Sequence, residues 1–149
     1  MKKYVGTKML EARPMNRGEY NKYRGWLIPA NENPNDEGYL VKYQDGYESW
    51  SPKDIFEESY KDCMGMSFGI ALELAKKGLK IARVGWNGKN QHIELASNIS
   101  YTSSDGKVVN CDHDAIGNKA IAFVGTSGVQ MGWLASQADM LAEDWILAE

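Results

Sequence analysis

Apolar positions repeat with two different periods along this chain. Phe68, Ala71, Leu72 and Ala75 fall at i, i+3, i+4 and i+7, which puts them on one face of a helix. Ser67 stands where an N-cap belongs. Lys76 and Lys77 lie at the negative helix end, and Gly78 suits the left-handed residue beyond it. Elsewhere, short alternating runs separated by turn residues predict strands. Residues 39–43 and 47–50 flank Asp45-Gly46 and predict a tight two-residue hairpin. Residues 79–85 and 91–96 flank Asn87-Gly88, and residues 99–103 and 107–110 flank Asp105-Gly106. Residues 120–124 and 129–134 flank a Thr-Ser-Gly turn. A further strand is expected at 5–12, and 31–38 reads as a polar loop. A helix is expected from Lys53 to Tyr60, with Ser51 as its cap and Pro52 at its first position.

This order predicts an α+β protein. A small N-terminal β-rich module with a C-terminal helix occupies residues 1–62. A second domain, 66–149, has one helix packed on an antiparallel β-meander. One helix cannot cover both faces of such a sheet, so the sheet is expected to oligomerise.

Composition narrows the function classes. The chain has 149 residues and a formal net charge of -3, which argues against duplex nucleic acid as a partner. A small anionic ligand remains open, because a few local cations or backbone N–H groups suffice to hold one. Cys63 and Cys111 have no CxxC partner and read as free thiols in a reducing compartment. No apolar run approaches a membrane span, so a soluble cytosolic protein is expected.

Five Trp and eight Tyr are many for this length. Two stretches set three of these tryptophans among polar groups: Arg83-Val-Gly-Trp86-Asn87-Gly88-Lys89, and Trp133 through Trp145. Ser136-Gln-Ala-Asp139 fits a capping box, so a short helical turn is one reading. The other reading has the Ser136 hydroxyl, the Gln137 amide and the Asp139 carboxylate hydrogen-bonding ribose hydroxyls or a base edge. Trp86 is either half-buried beside its turn or stacked on a ligand ring. Arg83 is either a solvated strand residue or a bidentate phosphate ligand. Asn87 either contacts ligand or supplies a positive φ to the turn.

Cys111-Asp-His-Asp114 is too tightly spaced for several of its side chains to converge on one metal, and it reads as a polar loop. His92 has no obvious carboxylate partner in sequence. No nucleophile-elbow, zinc-protease, P-loop or zinc-deaminase pattern occurs. Neither a metal nor a cofactor is expected.

Three motifs in one order carry a resemblance. They are Ser67-Phe-Gly-Ile-Ala-Leu-Glu-Leu-Ala-Lys-Lys-Gly78, Ala82-Arg-Val-Gly-Trp-Asn-Gly-Lys89, and Trp133-Leu-Ala-Ser-Gln-Ala-Asp-Met-Leu-Ala-Glu-Asp-Trp145. Residues from about 66 to 149 resemble the second-type Thoeris anti-defence proteins of phages and prophages. Residues 37–53 resemble a small module of phage-encoded proteins with no assigned chemistry.

The resemblance implies a non-enzymatic sponge in the cytoplasm of the infected bacterial host. It would bind cyclic ADP-ribose isomers without cleaving them, so that the host effector stays off. Related members also capture cyclic dinucleotides. It further implies a homotetramer with ligand pockets between protomers. Placed on the matching motifs, Trp86 and Trp133 become ring-stacking walls. Asn87, Ser136, Gln137 and Asp139 become ribose and base contacts, and Arg83 a pyrophosphate contact. The family's His-x-Asp pattern falls here on Ala120 and Ala122, with Phe123 and Ser127 as compensating contacts. Two other functions stand beside the sponge: an enzyme degrading the same nucleotides, and a phage accessory module that binds protein partners.

Overall fold

The computed structural model of this chain describes residues 1–110 and 118–148. The Cys111–Asp114 loop considered as a metal site therefore lies outside the described residues. The chain divides into two compact units, Met1–Lys61 and Asp62–Glu149.

The first unit is a three-stranded antiparallel sheet, β1-β2-β3, with two short helices. Strand β1 (Glu11–Pro14) starts later than expected, and residues 1–8 are exposed. The reason is partner length, because β2 pairs with β1 only from Tyr39 to Lys42. Helix α1 (Arg17–Tyr23) was not anticipated. It opens on a capping box: Glu19 N–H donates to Asn16 Oδ1 at 2.8 Å, and Asn16 N–H donates to Glu19 Oε2 at 2.9 Å.

Strands β2 (Gly38–Lys42) and β3 (Glu48–Pro52) form the hairpin. Its turn is wider than the two-residue form. Tyr43 N–H donates to the Tyr47 carbonyl at 2.8 Å, which leaves a loop of Gln44, Asp45 and Gly46. Gly46 takes φ +85, the left-handed position such a loop requires. Helix α2 (Lys53–Ser59) has Pro52 at its cap position with no side-chain cap bond. Ser51 cannot serve there because it is still paired with Tyr39 in the sheet. Met15, Tyr20 and Leu40 form the core of this unit, and the half-buried Trp50 packs on them.

The second unit starts with α3 (Phe68–Lys76). Ser67 caps it as expected: Ile70 N–H donates to Ser67 Oγ at 3.4 Å, and Gly78 takes φ +90. Strands β4 (Ile81–Arg83) and β5 (His92–Ser97) follow. Strands β6 (Ser100–Thr102) and β7 (Val108–Asn110) pair only with each other, as a separate ribbon. Strands β8 (Lys119–Gly125) and β9 (Gly128–Met131) make the next hairpin. The chain then forms the five-residue α4 (Gln137–Leu141) and ends in β10 (Trp145–Leu147).

The main sheet has the order β10-β4-β5-β8-β9, all antiparallel. It is a mixed α/β structure with antiparallel sheets, and it holds one strand beyond the expected meander. That strand, β10, returns to flank β4. Ile81, Ile93 and Trp145 are fully buried on the face that α3 covers, where Phe68 meets the Trp145 ring at 5.3 Å. Alternation puts Ala82, His92, Ala122, Val124, Val129 and Met131 on the opposite face. None of the described helices is long and apolar enough to cross a membrane.

Candidate functional site

Trp145 is the base of the site. Its register opposite Arg83 in β4 turns its ring to the covered face, and its exposure is 0%. The indole Nε1 donates to the Asp139 main-chain carbonyl at 2.9 Å, so the one polar atom of this buried ring is satisfied. Met66 and Trp145 also exchange main-chain hydrogen bonds, at 2.8 and 3.2 Å.

Three half-buried aromatic residues gather at this base. Trp86 lies 5.5 Å from Trp145, 6.1 Å from Trp133 and 5.4 Å from Phe123 between ring centroids. Trp133 lies 6.3 Å from Trp145. Each member arrives from a different element. A turn just past β4 places Trp86, whose N–H donates to the Arg83 carbonyl at 3.2 Å. Strand β8 places Phe123 opposite Ile93. The chain leaving β9 places Trp133, whose N–H donates to the Ile121 carbonyl at 2.8 Å.

The planes of these rings cross at 66 to 78°. A planar base held between two parallel rings needs about 7 Å between them, two carbon contact distances. Trp86 and Trp133 are therefore not two walls of a slot. They meet edge to face, and what they present to a ligand is an outward corner.

Arg83 is ion-paired with two carboxylates. Its Nε donates to Asp144 Oδ1 at 2.9 Å, and its Nη2 to Asp144 Oδ2 at 3.4 Å. Its Nη1 donates to Asp139 Oδ1 at 3.1 Å. The hydrogen bonds to Asp144 and then Asp139 raise the guanidinium pKa further above its ordinary value. Asp139 is equally committed: its Oδ2 accepts from the Ser136 N–H at 3.0 Å and from the Ser136 hydroxyl at 2.6 Å. Asp139 N–H in turn donates to Ser136 Oγ at 3.1 Å, which closes the capping box of α4. Burial acts to raise the Asp139 carboxyl, but the Ser136 contacts and Arg83 together hold it below its ordinary value. One guanidinium facing two carboxylates leaves this network with a negative charge.

The structure thus brings the expected residues together in two groups. Trp86, Phe123 and Trp133 share the aromatic cluster. Arg83, Ser136 and Asp139 share the hydrogen-bond network, joined to the cluster through the Trp145–Asp139 bond. Asn87, Ser127 and Gln137 are exposed at their turns and at the start of α4. Asn87 does not supply the left-handed turn residue; Asn90 does, at φ +57. Ala122 is 2% exposed and lies opposite Glu94, while Ala120 lies opposite Ala96.

Sequence reading missed Asp144 and the base role of Trp145, because the three-residue β10 carries too short an alternation to register as a strand. It also missed Gln91, whose Oε1 accepts from the Gly88 N–H at 2.8 Å and ties down the loop after Trp86. His92 does have a carboxylate neighbour, Glu94 Oε2, 3.5 Å from its Nε2. The two residues are i, i+2 on β5 and so point to the same side. Among the described residues, no group of three or more His, Cys, Asp or Glu side chains is placed to hold a metal ion.

Residues 66–148 match the family model of the Thoeris anti-defense 2-like domain. Over 85 residues the chain is 41% identical to the Thoeris anti-defense 2 protein of Bacillus phage SP01, an alignment that covers 54% of this chain and 91% of that relative. The matched segment contains every element of the aromatic cluster and of the Arg83 network. This chain belongs to the Thoeris anti-defence 2-like family of phage anti-defence proteins.

Proposed function

We propose that residues 66–149 bind a cyclic ADP-ribose-type immune signalling nucleotide and hold it without cleaving it, in the cytoplasm of the infected host, so that the host effector stays inactive. Cyclic dinucleotides are a second ligand class for the same domain. The observation that carries this reading is the half-exposed aromatic corner of Trp86, Phe123 and Trp133 on a fully buried Trp145, inside the family-matched segment. A base rests against the outward faces of these rings. Asn87, Ser127 and Gln137 offer exposed amide and hydroxyl groups to the sugar and base edges. Arg83, Ser136 and Asp139 act from behind, fixing α4 and the Trp145 indole.

The working form is a homotetramer. The exposed β9 edge, with Val129 64% and Met131 49% exposed, supplies apolar surface for such contacts. Neither metal nor cofactor takes part. The first unit, Met1–Lys61, is an accessory module of this reading.

The test is incubation of the protein with a cyclic ADP-ribose isomer, followed by heat denaturation and chromatography of the released small molecule. Sequestration returns the ligand unchanged in an amount matching the protein. A changed molecule shows an enzyme, and a ligand left free before heating shows no binding.

A further inference from the structure

A side-chain cation near the aromatic corner would favour a phosphate-bearing ligand, and Arg83, close by in sequence, is already paired. Arg83 is enclosed by Asp139 and Asp144, and that network is itself negative. The other described basic residues of the second unit can be followed one by one. Lys76 pairs with Glu73 at 2.8 Å, and Lys107 pairs with Asp105 at 3.3 Å. Lys77 caps the far end of α3 and is engaged there. Lys80 precedes β4, whereas Trp86 follows it. Lys119 opens β8, at the end away from Gly125, about 20 Å off at strand rise. His92 is buried, with Nδ1 2.7 Å from the Asn90 carbonyl and Nε2 facing Glu94.

Among the described residues, Lys89 is the basic residue that remains. It is exposed, and its ammonium makes no salt bridge among the described residues. It sits in the same loop as Trp86, three positions on. Within that loop the Gln91 side-chain oxygen accepts from the Gly88 N–H at 2.8 Å. A side-chain carbon on Gly125 would start 2.9 Å from the Phe123 ring and 3.6 Å from Gln91 Nε2, so the loop base and Phe123 border one spot.

We infer that Lys89, not Arg83, is the residue of this site that contacts ligand phosphate, and that it selects for anionic ligands. Arg83 is a positioning residue. The inference rests on the nucleotide-binding reading above and adds the source of its charge complementarity. A flexible ammonium meets phosphate as a point charge, which suits ligands whose phosphates differ in placement.

The experiment measures calorimetric affinity of the full chain for a cyclic ADP-ribose isomer at low and high salt, with Lys89→Ala, Lys89→Arg, Lys80→Ala and Lys119→Ala. Lys89→Ala is expected to weaken binding about tenfold and to flatten the salt dependence, as loss of a charge-assisted hydrogen bond does. Lys89→Arg should stay close to the parent, and the other two variants should bind as the parent does. Unchanged affinity in Lys89→Ala, or equal weakening in all three alanine variants, overturns the inference and leaves the nucleotide-binding reading standing. A parent protein that does not bind the isomer overturns both.

Discussion

Arg83 Nη1 donates to Asp139 Oδ1 at 3.1 Å, joining β4 to the first turn of α4 across 56 residues of sequence. The same Asp139 lends its main-chain carbonyl to the buried Trp145 indole. One residue thus caps a helix, pairs a guanidinium and satisfies the base of the aromatic cluster. The carboxylate of Asp139 and the ring of Trp145 are held in this unit through one residue.

Acid should therefore loosen it. The folded-state pKa of Asp139 lies below the ordinary one, so the unfolded chain takes up the proton more readily. The stabilisation is complete above the ordinary carboxyl value and is lost as pH falls through the depressed one. Melting temperature followed from neutral to about pH 3 should fall, and Asp139→Asn should lower the neutral value and flatten the acid limb. A parallel curve for parent and Asp139→Asn would remove Asp139 from the acid response.

Trp145 and Trp86 should separate stability from binding. Trp145→Ala empties a fully buried position and leaves a carbonyl without its donor, an expected cost of about 3–5 kcal/mol in denaturant unfolding. Trp86→Ala removes a half-buried ring from the corner. It should weaken binding of the cyclic nucleotide by about 1–3 kcal/mol, roughly five- to 150-fold, with a much smaller fall in melting temperature. Unchanged affinity in folded, correctly assembled Trp86→Ala excludes the stacking role.

Ser136→Ala should act on α4 alone. Loss of an N-cap costs about 1 kcal/mol, measurable as a lower denaturation midpoint at constant slope. Affinity should change little, because the Ser136 hydroxyl is turned to Asp139. A tenfold loss of binding at unchanged stability would make Ser136 a direct ligand contact instead.

The first unit should be dispensable for capture. A chain starting at residue 64 is expected to fold, assemble and bind the cyclic ADP-ribose isomer like the full chain in calorimetry. The expectation fails if that shorter chain assembles normally and has lost binding.

Assembly itself is open to light scattering at micromolar concentration. The expected species is a tetramer, with the β9 edge that exposes Val129 and Met131 among its contacts. Only the 16.7 kDa single chain would refute it.

By itself the sequence determined the features that a few neighbouring residues encode. Ser67, the apolar face of α3 and Gly78 set that helix, because cap, face and left-handed exit are all local. The capping box of α4 was legible in Ser136 and Asp139 for the same reason. So were the hairpins at Gly46 and Gly106, although their loop length depended on which residues paired last. The tertiary structure decided what lies far apart in sequence. Three-residue β10 carries no period of its own and becomes a strand only because β4 offers it an edge. That pairing places Trp145 in the interior and Asp144 beside Arg83, an ion pair that no local pattern announces. His92 and Glu94 became neighbours once a shared strand face was fixed. The corner of Trp86, Phe123 and Trp133 likewise has no local signature, since its three rings arrive from β4, β8 and the exit of β9 and meet only when the sheet is complete.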